Sequence, residues 1–451
     1  MLPRDTLILA GSDLAFERMR EEYPHHTVLR RDTLTDEDYA DWTQLTLREV
    51  GVFVLDGNDR LQRQVDELSE RIGVNKITSQ LRSRVWIEHL LRNLHYLWEC
   101  PCVMAGTMSA PVPAFIVGAG PSLTRNAHEL SEPGGAYGLV FKVNSAGQHV
   151  VGDVRDIAVC IESNDVRHKL RTGLEARAFG LTCDPLVMAH GYGRLLPTWH
   201  GELGGLIEQM TGIPRLPTSC SGTTAAVSLA RRLGCSPIIL VGQDLAWTDG
   251  RCYAGTGRAY EADGRVCLDW GDVPEHRRAE SLPTELDARY APAWGGEGEV
   301  LTSPMFLGVR EWLGRWAALH EDVRTYNCTE GGLHIPGWTD VKLRDVLDVL
   351  PPVKAKLIAA PPIPRHVVRR WVGTQLDLLR DSPENSMLLD YWLAECTITM
   401  LDEWRQRGTI EHLTRTEELW RELLHHGSEE LGGYIRSVVD CGDERVAEAS
   451  A

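Results

Sequence analysis

The sequence predicts an α/β protein centred on a doubly wound parallel sheet, and three observations carry that expectation. Between about residues 112 and 350, short apolar runs alternate with helix-compatible stretches, the order of a β–α–β chain. One run, Phe115 to Val117, breaks at Gly118-Ala-Gly120-Pro121-Ser122 into a polar, helix-like stretch. That order reads as a buried strand, a tight glycine turn and a helix start, where backbone N–H groups and a partial positive charge suit a phosphate. Another run, Ile238 to Val241, follows an amphipathic segment and ends in Gly242-Gln-Asp244. Open α/β sheets bind ligands beyond the C-terminal ends of their strands, so a site is expected at these breaks.

Taken in order, residues 1–105 read as a small α/β domain. Its strand signals are Leu7 to Gly11, Thr27 to Leu29 and Val50 to Leu55. Gly11-Ser-Asp lacks the second glycine of a nucleotide loop and reads as structural. The stretch Arg60 to Leu97 reads as helix, and Pro101, Pro111 and Pro113 punctuate a boundary. The central domain, 106–355, has strand candidates at Ala114–Val117, Gly138–Val143, Ile157–Ile161, Phe179–Leu181, Pro237–Val241 and Val323–Tyr326. Helix candidates include Thr223–Leu233 and Met305–His320. Pro361-Pro-Ile-Pro364 then serves as a linker to a helical C-terminal domain, 362–445. There Trp371, Leu376, Leu379, Leu388, Leu389, Trp392, Leu393, Leu401, Trp404, Leu413, Leu419, Trp420 and Leu423 recur at amphipathic spacing. Residues 443–451 read as a frayed end.

Composition narrows the function classes. A chain of 451 residues has room for two or three domains, and 43% hydrophobic with 25% charged residues is ordinary globular usage. A formal charge of −17 argues against a nucleic-acid partner, which needs clustered Lys and Arg. The eleven cysteines lack zinc spacing and read as reduced, mostly buried thiols. The apolar run Leu7–Ala10 is too short for a signal core, and nothing reaches the roughly 18 residues of a membrane helix. The expectation is a cytoplasmic protein.

Candidate site residues fall at strand ends and loop starts. Ser221, Gly222 and Thr223 open a helix and suit either a docked anion or a simple N-cap. Asp244 ends a strand and suits a ribose, a sugar hydroxyl, a metal or a turn amide. Asn144 offers both a donor and an acceptor to a base edge or ribose. Glu162 and Asp165 follow another strand, and Glu330-Gly331-Gly332 follows a further one, as ligand groups or as turn residues.

Together these segments resemble the Maf family of motility-associated glycosyltransferases. They also resemble the wider family named after the archaeal 6-hydroxymethylpterin diphosphokinase, called MptE-like. The resemblance covers about residues 95–345. It is carried by Val117-Gly-Ala-Gly-Pro-Ser-Leu123, Leu233 to Ala246, Tyr253-Ala254, Leu301-Thr-Ser303 and Asn327-Cys-Thr-Glu-Gly-Gly332. The central domain is also similar to bacterial sialyltransferases that use CMP-sialic acid, which implies a Rossmann-like, sialyltransferase-like core. The likeness places Gly118, Gly120, Ser122, Asn144, Ser221, Gly222 and Asp244 around a cytidine nucleotide, with the Tyr253 hydroxyl on the leaving phosphate. It implies transfer of a nonulosonic acid (pseudaminic, legionaminic or sialic type) from a CMP-sugar to Ser or Thr of a protein such as flagellin. The C-terminal helices are the implied docking surface for that acceptor.

The chain departs from that pattern where a histidine base is expected. Trp294-Gly-Gly-Glu-Gly-Glu-Val300 holds none, which leaves Glu297, Glu299 and His276 as replacements and the base open. A second phosphate-binding tyrosine is also missing, near Ala246 or Trp247. The reaction implied is an inverting displacement: donors stabilise the leaving phosphate while a base takes the acceptor proton. Glu162, Asp165 and Asp244 are the carboxylates available to a divalent ion, whose need stays open. Two other readings stand beside this one. The first is a pyrophosphokinase acting on 6-hydroxymethylpterin with ATP, its magnesium held by Asp244 and Glu162. The second is a nucleotide-binding protein without catalysis.

Overall fold

A computed structural model of the chain describes residues 7–10, 27–30, 52–54, 82–131, 137–150, 156–170, 176–191, 193–219, 221–271, 286–351, 353, 356–393 and 424–438. His276, Leu401, Trp404, Leu413, Leu419, Trp420, Leu423 and the end after 443 lie outside them, as does most of the Arg60–Leu97 stretch. The chain divides into two compact units, one of residues 1–84 with 387–427, the other of residues 85–386 with 428–451.

In the first unit, β1 (Leu7–Ala10), β2 (Thr27–Arg30) and β3 (Val52–Val54) form a parallel sheet in the order β2-β1-β3. The three apolar runs predicted as strands are these strands. The same unit holds the helix Met387–Trp392, whose Leu389, with Leu393 just beyond it, leaves no room for a side chain at Gly427.

The second unit is built on an all-parallel, eight-stranded sheet. After β4 (Cys102–Met108) come β5 (Ala114–Val117), β6 (Leu139–Val143), β7 (Ile157–Cys160), β8 (Ala176–Gly180), β9 (Leu195–Thr198) and β10 (Ile238–Val241). An antiparallel sheet follows: β11 (Arg251–Tyr253), β12 (Thr256–Ala262), β13 (Arg265–Asp269) and β14 (Leu286–Asp287). A hairpin of β15 (Arg289–Pro292) and β16 (Glu299–Thr302) leads to the helix Pro304–Leu319. The parallel sheet ends with β17 (Thr325–Asn327) and β18 (Thr339–Asp340), and β19 (Leu357–Ala360) pairs back on β4.

The parallel order is β18-β17-β10-β5-β6-β7-β8-β9. From β5 the chain winds outward to β9, then returns to β10 on the other flank. Strand order therefore reverses between β5 and β10, the doubly wound arrangement expected from the alternation, and in such sheets this reversal is where ligands bind, at the C-terminal strand ends. Every position of β5, β7 and β10 is buried, as strands covered on both faces require.

The two edge strands, β9 and β18, have no counterpart among the predicted strands. Pro197 lies in β9, which an edge tolerates because a proline cannot donate to a second neighbour. β18 is only two residues long. The antiparallel insertion is likewise absent from the sequence reading. Its signal is Asp263-Gly264, both at positive φ between β12 and β13, the chemistry of a two-residue hairpin turn.

The helix Arg365–Asp381 groups with the central sheet rather than with residues 387–427. It buries Val368, Trp371, Val372 and Leu379, and Ile363 just before it donates to the Leu97 carbonyl at 2.8 Å. Among the described residues no helix is long and apolar enough to cross a membrane. The eight described cysteines are all free and six are buried, in line with the reading of reduced thiols.

One buried charge pair stands out inside the sheet. Lys142 on β6 lies 2.6 Å from Asp156 at the entry to β7, with side chains 1% and 7% exposed. Removing one partner strands the other charge in the core. Asp156→Ala is expected to lower unfolding stability by about 3–5 kcal/mol in denaturant melts, while the double change Lys142→Met, Asp156→Leu recovers most of that loss.

Candidate functional site

The site is built where β5 and β10 leave the sheet side by side. Gly118 N–H donates to the Val241 carbonyl and Gly120 N–H to the Gly242 carbonyl, both at 2.9 Å. The two exits are so close that a Cβ on Gly120 would lie 2.1 Å from Asp244 Oδ2. One on Gly118 would lie 2.7 Å from the Gln243 amide. Gly242 combines the same crowding with a φ of 63°, which a side chain resists. The glycines predicted to admit a phosphate also make room for the side chains of Gln243 and Asp244, just beyond β10.

Asp244 is the centre of this crossing. Its carboxylate accepts from Ser122 N–H at 3.1 Å, Ser122 Oγ at 2.6 Å and Thr248 Oγ1 at 2.5 Å. It is 2% exposed, and burial raises its carboxyl above the ordinary aspartate value against the pull of those bonds. The Ser122 donors expected to face a ligand are therefore committed to Asp244, and Asp244 holds the loop. After Ser122 only one α-helical turn forms, Leu123–Asn126, before a tighter turn over Ala127–Ser131. The amides of Leu123, Thr124 and Arg125 bond carbonyls of the loop itself.

Glu330 and Gly331 brace the same loop from the β17 side. Glu330, at φ 58°, accepts from Asn126 Nδ2 at 3.2 Å and from Leu343 N–H at 3.0 Å, and its carbonyl accepts from Arg125 at 2.6 Å. A Cβ on Gly331 would lie 3.1 Å from both Ser122 and Thr248. Leu333 N–H then donates to the Asp244 carbonyl at 2.9 Å.

Open polar groups gather one strand further on. Asn144 leaves β6 at φ 48° and donates through Nδ2 to Glu162 Oε1 at 2.9 Å, while its own Oδ1 is buried and unbonded. The helix Gly222–Arg232 starts against it, with Gly222 close enough that a Cβ would lie 2.8 Å from Val143 and 3.9 Å from Asn144 Oδ1. Ser221 caps this helix, its Oγ accepting from Thr223 N–H at 3.2 Å. Thr223 Oγ1 donates to Gln243 Oε1 at 2.7 Å. That leaves Gln243 Nε2, on a residue 5% exposed, as a buried donor without a partner beside the glycine turn and the helix start.

Tyr253 reaches the same region. Ala254 N–H donates to the Ala119 carbonyl at 3.0 Å, tying the end of β11 to the glycine loop. Burial, then the charges of Glu162 and Cys252, push the Tyr253 hydroxyl up to about 12. It is thus a proton-bearing donor at any neutral pH.

The structure therefore brings together Asn144, Glu162, Ser221, Gly222, Thr223 and Tyr253, and sets Gly118, Gly120, Ser122, Asp244, Glu330 and Gly331 behind them as a frame. Glu297 and Glu299 are exposed at the tip of the β15–β16 hairpin. The carboxylates considered for a metal go to different partners: Glu162 to Asn144, Asp165 to Arg167 at 2.7 Å, and Asp244 to Ser122 and Thr248. Among the described residues no group of three His, Cys, Asp or Glu side chains gathers as a metal site.

Two features escape sequence reasoning. Gln243 sits between two residues singled out for their chemistry, yet only the tertiary crossing buries its amide. His334, in the loop after β17, pairs with Asp340, the last residue of β18, Nδ1 to Oδ2 at 2.6 Å. The five residues between them carry no motif; the parallel register of Asn327 with Asp340 creates the pair.

Residues 88–250 match the family model described as 6-hydroxymethylpterin diphosphokinase MptE-like. That span holds Gly118, Asn144, Glu162, Ser221, Gln243 and Asp244, and stops short of Tyr253, Glu330 and His334. Nothing among curated proteins matches the chain. Among solved structures, a MAf glycosyltransferase from Magnetospirillum magneticum AMB-1 is similar, with 13% identity, a TM-score of 0.49 and coverage of 99% of this chain and 80% of that one.

Asp244 sets a pH dependence. Because burial raises its folded value, ionisation costs more in the folded than in the unfolded chain. Its contribution is fullest below the ordinary aspartate range and is lost as pH rises through the raised value. Relative to Asp244→Asn, the wild type is expected to lose stability as pH rises above the ordinary aspartate range, measured by paired thermal melts. A difference that stays flat or grows with pH contradicts this. Gly120→Ala, which forces a methyl onto the carboxylate, is expected to cost about 1–3 kcal/mol in the same assay.

Proposed function

From an MptE-like segment over residues 88–250 and the groups around it, we propose that the chain is a glycosyltransferase that uses a CMP-linked nonulosonic acid. The observation that carries this reading is the buried, unbonded Gln243 Nε2 beside the start of the helix Gly222–Arg232, with a protonated Tyr253 within the electrostatic influence of Glu162, the partner of Asn144. A donor buried without a partner costs about 1–3 kcal/mol, so its persistence argues for an acceptor that arrives with a ligand.

Each group then takes a role in the reaction. The helix start and Gln243 Nε2 hold an anion, the nucleotide phosphate or the sugar carboxylate. Glu162 and Asn144 offer acceptors and one donor to ribose hydroxyls or a base edge. The Tyr253 hydroxyl donates to the phosphate oxygen as charge grows there on departure from the anomeric carbon. Asp244, Ser122, Gly118 and Gly120 act through position: they fix where β10 presents Gln243. The acceptor in this reading is a Ser or Thr hydroxyl of a protein, flagellin being the one the motif order suggests. The residues named here act whether or not a divalent ion takes part.

The full chain is incubated with CMP-sugars and a Ser/Thr-bearing protein, and separately with ATP and 6-hydroxymethylpterin. Acceptor-dependent CMP release is the expected result; AMP formation identifies a pyrophosphokinase instead. Tyr253→Phe is expected to lower kcat by ~10²-fold with little change in KM, the signature of a donor used chiefly in the transition state. Binding of CMP with no release under any acceptor points to the non-catalytic reading.

A further inference from the structure

One titratable pair at the same end of the sheet has no part in the reaction so far. Asp340, its side chain 10% exposed, accepts through Oδ1 from Asn327 Nδ2 at 2.8 Å and through Oδ2 from Gly295 N–H at 3.1 Å. His334 Nδ1 meets that same Oδ2 at 2.6 Å. The carboxylate is thus held from two sides before the imidazole is counted. The His334 backbone is held as well: its N–H donates to the Pro292 carbonyl at 2.9 Å, and its carbonyl accepts from Arg310 Nε at 2.6 Å. Closing this turn does not require the ring. What the ring gains from Asp340 is one tautomer and one orientation, with Nδ1 carrying the proton.

The other nitrogen, Nε2, is left as an acceptor on a side chain 37% exposed, and no described residue bonds it. The loop that carries it is fastened to the donor site. Leu333 bonds the Asp244 backbone, Trp294 N–H donates to the Gly332 carbonyl, and Gly295 belongs to the hairpin loop where Glu297 stood as a replacement base. The charged groups against His334 are Asp340 at the ring and Arg310 at the backbone.

We propose that His334 is the general base of the transfer and Asp340 its positioning residue, an inference that rests on the transferase reading above. His334 Nε2 takes the proton of the acceptor hydroxyl. The hydroxyl oxygen forms the new bond to the anomeric carbon, and the bond from that carbon to the phosphate oxygen breaks, its electron pair leaving with CMP. The resulting imidazolium is stabilised by Asp340, and it returns its proton to water after product release.

The test compares wild type, His334→Gln and Asp340→Asn for CMP binding by calorimetry, thermal melting, and transfer rate across pH. For His334→Gln the expected result is a rate ~10²–10⁴-fold lower, with CMP affinity and melting temperature unchanged. The wild-type rate falls toward acid as the imidazole takes a proton, and that limb is absent from the variant. Asp340→Asn, which favours the wrong tautomer, is expected to lower the rate while the limb persists. A His334→Gln rate within a few-fold of wild type overturns the assignment, as does parallel loss of rate, CMP binding and melting temperature. A wild-type protein that releases no CMP from any CMP-sugar overturns the donor reading and the base with it. One that transfers normally while His334→Gln does too overturns the base alone.

Discussion

Everything at this end of the sheet depends on how closely β5 and β10 can approach as they leave it. Two glycine-bearing turns interlock, with Gly120 N–H on the Gly242 carbonyl, and the Asp244 carboxylate fills the space that a Gly120 side chain would take. Ionising a buried carboxylate is costly, and three donors from Ser122 and Thr248 offset that cost. The bonds are local, yet their effect is long-range, because they fix the direction of three chain segments at once.

Those segments place the chemistry. From β10 the crossing presents Gln243 to the helix that begins at Ser221, and from β17 it is braced by Glu330 and the Gly331–Gly332 turn. The insertion that carries Tyr253 is attached through Ala254 to the middle of the glycine loop. The polar groups left open, Asn144 Oδ1 and Gln243 Nε2, therefore stand on a rigid frame. A ligand site built on such a frame gains from this, since little ordering is left for binding to supply.

How much of this is legible in the sequence depends on the range of each interaction. The strands of the parallel sheet's interior announce themselves as short apolar runs, and β5 and β10 begin or end within a residue of the expected place. Edge strand β9 hides behind Pro197, and β18 is too short to show a period. Asn144 and Glu162 are visible as polar residues at strand ends, and their contact follows from the adjacency of β6 and β7. The role of Gly118 and Gly120 is not legible in the same way. A glycine required by a ligand and one required by a neighbouring strand look identical in a sequence.

The sequence by itself determined the class of fold, the strands that build its centre and the strand ends where polar groups collect. Those follow from hydrophobic period and local turn chemistry, which neighbours in the chain decide. Tertiary structure alone decided which of those groups stay open. Asp244 and Ser122 satisfy each other across 122 positions, while Gln243, one residue from Asp244, is left with an unbonded donor. It also made a pair of His334 and Asp340, through the register of two parallel strands. Hydrogen-bond satisfaction is a property of packed three-dimensional neighbours, and no local pattern encodes it.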